Sequence, residues 1–78
     1  MGRKVFVEVI ALHRLDGSVR PLELIWEDGR KFAIDRILDV RQAASLKAGG
    51  MGICYTCRVS GRELRLFDDQ GYWFLEFH

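Results

Sequence analysis

Histidine, cysteine and proline are scarce in this 78-residue chain, at two, two and one. His13 and His78 stand towards its two ends and offer no Ser–His–Asp or Cys–His pairing of the kind hydrolytic sites use. The expectation is a protein that is not an enzyme, with no catalytic residue, no metal site and no cofactor. Two cysteines do not make the framework of a secreted, disulfide-held domain. One proline and no low-complexity tract leave no linker. No run nears the roughly 20 apolar residues of a membrane-spanning helix. Val5-Phe6-Val7 is cut off by Glu8, too soon for the core of a signal peptide. A cytoplasmic location and no membrane partner are therefore expected. A net charge of +1 excludes a strongly basic domain, and 49% apolar residues exclude disorder.

What the chain does have is aromatic and apolar residues enough for a core. Its length predicts one small domain over residues 1–78. A chain this short buries only about 60% of its unfolded surface, so its stability margin is thin. Charge is unevenly spread. Residues 36–66 carry six basic side chains against Asp39 and Glu63, while residues 67–78 carry three acids and no Lys or Arg.

Turn signals recur at Asp16-Gly17-Ser18, Asp28-Gly29, Ser60-Gly61 and Gln70-Gly71, with short apolar runs between them. This rhythm is that of an all-β sandwich or barrel. Lys4–Arg14 and Val19–Trp26 read as strands, the first apolar on both faces. A three-residue loop Glu27-Asp28-Gly29 pairs Leu24 with Phe32 and Leu22 with Ile34. A two-residue turn at Ser60-Gly61 sets Cys57 against Leu64 and Tyr55 against Leu66. A loop over 68–71 then sets Leu66 against Trp73, Leu64 against Leu75 and Glu63 against Glu76. One face holds Tyr55, Cys57, Leu64, Leu66, Trp73, Leu75 and Phe77. The other holds Thr56, Arg58, Glu63, Arg65, Tyr72 and Phe74.

Asp35–Ala48 is ambiguous. Asp35 as a cap and Gly49 as a stop suit a helix at about 36–47, which would make the fold α+β. The β-branched Ile37 and Val40, and the chance to pair with residues 52–59, favour a strand. The preferred architecture is a small antiparallel meander closing into a partly open, SH3-like barrel.

Cys54-Tyr55-Thr56-Cys57 has the spacing of a thiol or zinc motif. On a strand, however, residues three apart face opposite ways, which puts Cys57 in the core and Cys54 outside. Lys47-Ala48-Gly49-Gly50-Met51-Gly52 lacks the P-loop order and reads as a hairpin connection. Arg36, Arg41, Lys47, Arg58 and Arg65, sharing a face with Tyr72 and Phe74, form a candidate surface for single-stranded nucleic acid, where aromatics stack bases and arginines meet phosphates. Phe6, Ile10, Leu12, Tyr72 and Phe74 are apolar residues left over once one core is filled. They are a candidate surface for self-association, as a two-fold dimer, or for another protein partner.

Trp26-Glu27-Asp28-Gly29-Arg30, Ile34-Asp35-Arg36-Ile37-Leu38-Asp39-Val40-Arg41 and Trp73-Phe74-Leu75-Glu76 together resemble a family of small uncharacterised bacterial single-domain proteins of unknown function. The resemblance implies a complete single-domain protein and brings no substrate or catalytic residue. From the residues themselves, the first expectation is an interaction module acting through its exposed aromatic surface. Weak nucleic-acid binding is the alternative, and a thiol or zinc site at Cys54 and Cys57 the third.

Overall fold

The computed structural model describes residues 3–44 and 51–77. These form seven strands: β1 (Arg3–His13), β2 (Val19–Ile25), β3 (Lys31–Ala33), β4 (Arg36–Ala44), β5 (Met51–Val59), β6 (Arg62–Asp69) and β7 (Tyr72–Phe77). All pairings are antiparallel, in the order β3-β2-β1-β7-β6-β5-β4. Two meanders, β1–β3 and β4–β7, are thus joined by pairing the first strand with the last. The ambiguous stretch is strand over Arg36–Ala44. Residues 45–50, which include Lys47 and most of the glycine-rich connection, lie outside the described residues.

β3 and β4 are the two edges of the sheet, yet only Ile34 and Asp35 separate them. So short a connection forces the sheet to curl until its edges approach. The two linking residues hold the seam from both sides: the Ile34 N–H donates to the Leu22 carbonyl of β2 at 2.8 Å, the Asp35 N–H donates to the Arg58 carbonyl of β5 at 2.9 Å, and the Asp35 carboxylate accepts from the Ser60 N–H at 3.1 Å. The result is a partly open barrel, and every strand feeds one interior. Leu24, Tyr55, Cys57, Val59, Leu66 and Leu75 are buried at its centre, packed by Val7, Val9, Phe32, Ile37 and Trp73 among others. Each fully buried large apolar side chain contributes about 1.5–3 kcal/mol.

Two bulges set which side chains face out. In β2, Ile10 pairs with Glu23 but Ala11 with Pro21, so Leu22 is the extra residue. A bulge suits Pro21, which has no N–H to give a ladder. In β4, Ile37 pairs with Cys57 but Asp39 with Thr56, so Leu38 is extra.

The turns follow the expected chemistry. Gly29, at φ 89°, closes the three-residue loop, and Leu24 pairs with Phe32 as expected. Ser60-Gly61 and Gln70-Gly71 have positive φ at both residues, the signature of two-residue type I′ hairpin turns. The β5–β6 pairs are those expected, Tyr55 with Leu66 and Cys57 with Leu64, and Arg58 stands opposite Glu63. The β6–β7 register is not. Leu66 meets Leu75, not Trp73, and Asp68 meets Trp73. Asp68 and Asp69 belong to β6 and the turn is two residues long. Asp68 still serves that turn, accepting the Gly71 N–H at 3.0 Å. The slip is two residues, so every side chain keeps its expected face. The expected Glu63–Glu76 opposition does not arise; Glu76 stands opposite Lys4.

The outer face is not merely solvated. Phe6, Phe74, Phe67, Cys54 and Arg41 form one cross-strand row over β1, β7, β6, β5 and β4. Phe67 and Phe74 stack at 5.2 Å, and Phe6 meets Phe74 edge-on at 5.6 Å. The Lys4 Nζ lies 4.8 Å from the Phe74 ring centre and the Arg65 guanidinium 5.8 Å from that of Phe67. Long cationic side chains lie over aromatic rings by their stems and charge alike. Cys54 and Phe74 face outward as expected, yet neither is exposed, each keeping only 1% of its surface.

Candidate interaction surfaces

Strand β1 is the longest strand, and its partners change halfway. Residues 3–7 pair with β7; residues 8–13 pair with β2, on the other edge. β7 cannot continue past Val7 because its chain has reached the Gln70-Gly71 turn. Residues 8–13 therefore present an edge that no strand bonds among the described residues. The outer face of β1 carries Phe6, Ile10 and Leu12, which are 41–55% exposed. A bare edge beside exposed apolar side chains is a template for another strand. Of the five expected self-association residues, Phe74 drops out by burial. Tyr72 is 70% exposed at the start of β7.

The arginines gather for a reason that alternation alone does not supply. Arg36 and Arg41 are five residues apart and would face opposite ways on a regular strand. The bulge at Leu38 turns both outward, where Arg36 stands opposite Arg58 and Thr56 opposite Arg65. Among the described residues the ion pairs are Arg30–Asp28 and Arg41–Asp39, both at 2.7 Å. The Asp39 hydrogen bond and charge raise the Arg41 pKa further above its ordinary value. Arg36, Arg58 and Arg65 have no carboxylate within ion-pair distance among the described residues. Lys47 lies outside the described residues. The aromatic half of the expected nucleic-acid surface is reduced to Tyr72, since Phe74 is buried.

The two cysteines are free and buried on opposite faces, Cys57 in the barrel interior and Cys54 under the outer row. They cannot share a metal ion on this strand. Burial pushes the Cys57 thiol up from 9.0 to about 11, with the nearby Cys54 adding to it. Burial, and secondarily the charge of Asp68, also raises Tyr55, whose hydroxyl donates to the Val19 carbonyl at 3.3 Å. Among the described residues no three His, Cys, Asp or Glu side chains are grouped as a metal site. No described helix is long and apolar enough to cross a membrane.

Cavities lined by described residues open on the surface. One, of about 300 Å³, lies between the β2–β3 and β5–β6 hairpins, with Arg30 and Arg62 in its lining. Another, of about 290 Å³, lies beside residues 6–8 of β1 and is lined in part by Glu8 and Glu27. Lys4, Phe67 and Arg62 are absent from the surfaces read in the sequence. Lys4 was within reach, two residues from Phe6 and on its face; Arg62 matters only once the barrel has closed. Compared with protein-family models, curated proteins and solved structures, the chain matches none.

Proposed function

We propose that the protein is a non-enzymatic interaction module that acts as a two-fold homodimer, its mate seated on the open edge of β1. The backbone edge of residues 8–13, unpaired among the described residues and beside exposed Ile10 and Leu12, carries this reading. A two-fold antiparallel pairing centred on Ala11 sets Ile10 of each copy against Leu12 of the other. In the same register Glu8 meets Arg14 of the mate, twice, so opposite charges flank an apolar centre. The free cysteines, buried and not bridged, suit a reducing compartment such as the cytoplasm.

Light scattering tests the dimer. The expected mass is twice the 9.0 kDa of one chain. Glu8→Arg and Arg14→Glu should each weaken the dimer, and the double swap should restore it. A strict monomer at the highest concentration, or a double swap no better than either single one, removes the proposal.

The Arg36–Arg58 opposition supports a second reading. Like charges placed face to face are unfavourable without an anion between them. Binding of single-stranded oligonucleotide should then fall steeply with salt. Arg36→Ala and Arg58→Ala should each flatten that dependence. Absence of binding at low salt eliminates this reading.

A further inference from the structure

We infer that the cavity between the β2–β3 and β5–β6 hairpins is a binding site for a small carboxylate with an apolar body. Its walls are Leu24, Trp26, Phe32, Val59, Leu64 and Leu75. Leu24, Val59 and Leu75 are themselves core residues, so the cavity opens directly on the barrel interior. At about 300 Å³ it reaches the lower end of the range in which small ligands are held. An apolar body is the occupant such walls favour.

The charged residues of the lining decide the other end of the ligand. Among the described residues, Arg30 and Arg62 are the only ionisable ones in it, and both are cationic. Arg30 already holds Asp28 at 2.7 Å, through Nε. Arg62 has no carboxylate within ion-pair distance among the described residues. The seam carboxylate of Asp35 is turned onto the Ser60 N–H and is not part of the lining. A guanidinium at the rim of an apolar cavity favours a carboxylate, which it can hold through two parallel hydrogen bonds. An ammonium group would meet two like charges there. The second cavity, lined by Glu8 and Glu27, has the opposite preference. No described residue of β1 lines the first cavity, so this site and the proposed dimer stand or fall separately.

The experiment titrates 3-phenylpropionate and its charge-reversed counterpart, 3-phenylpropylamine, followed by amide chemical shifts. Saturable shifts at Val59, Ser60, Arg62 and Leu64 are expected with the acid and not with the amine. The amine, if it binds, should move Glu8 and Glu27 instead. Arg62→Glu should weaken the acid at least tenfold. Leu64→Trp, which fills the cavity, should abolish binding while the rest of the spectrum stays folded. Equal binding of acid and amine at Val59 and Leu64, or no saturation by the acid up to about 10 mM, the weak end of specific binding, overturns the site. So does unchanged affinity in a folded Arg62→Glu variant.

Discussion

Cys57 sits where β5 faces the interior and exposes none of its surface. Its proton is therefore held more tightly in the folded chain than in the unfolded one. Below about pH 9 both states keep the thiol proton and its contribution to stability is whole. Between 9.0 and about 11 the unfolded chain ionises first, so stability falls as pH rises. The full decline across that window is roughly 2–3 kcal/mol. Chemical denaturation from pH 7 to 10.5 should show a flat stability and then a decline, and Cys57→Ala should remove part of the decline. The remaining slope belongs in part to Tyr55, whose pKa is raised in the same sense. In the folded protein both cysteines should resist a thiol reagent at pH 8 until denaturant is added. Rapid labelling of either in the native state would contradict its burial.

At the scale of the element, the β5–β6–β7 meander depends on one close approach and two turns. A Cβ on Gly52 would lie 2.9 Å from the Asp68 carbonyl oxygen of the neighbouring strand, a backbone atom that cannot rotate away. Gly52→Ala should destabilise by about 1–3 kcal/mol, the usual cost of overpacking, measured as a lower denaturation midpoint. Gln70 carries the first positive φ of its type I′ turn, at 53°. Asparagine tolerates this conformation better, so Gln70→Asn should stabilise by a few tenths of a kcal/mol. A midpoint unchanged in both variants would count against this turn and this strand spacing. The hairpin at Ser60-Gly61 was legible in the sequence because one register alone put apolar against apolar across it. The β6–β7 register was not, because Asp68-Asp69 carries turn chemistry and yet lies within a strand. The faces survived that error since the slip was even. The shared side of Arg36, Arg41, Arg58 and Arg65 was legible but its cause was not: the bulge at Leu38 leaves no mark in simple alternation. Burial of Cys54 and Phe74 escaped because it depends on packing across strands distant in sequence, with Lys4 and Arg65 lying over the rings.

At the scale of the whole molecule, a 78-residue barrel has little stability to spare. It nevertheless leaves Ile10 and Leu12 exposed beside a strand edge that no described strand pairs. If a second copy covers them, folding and association are linked, and stability depends on protein concentration. Each tenfold rise in concentration then adds about 1.4 kcal/mol per dimer, or about 0.7 per chain. For a domain of this size that corresponds to a rise in melting temperature of roughly 3–5 °C per decade. Ile10→Lys places a charge at the centre of the pairing without touching the interior, since Ile10 faces outward. That variant should melt at one temperature whatever its concentration, and at or below the value of the wild-type chain at its most dilute. A concentration-independent melting temperature in the wild-type chain would mean that the edge of β1 is left to solvent. The exposed isoleucine and leucine would then contribute nothing to stability, and the seam held by Asp35 and the interior around Cys57 would have to hold the fold alone.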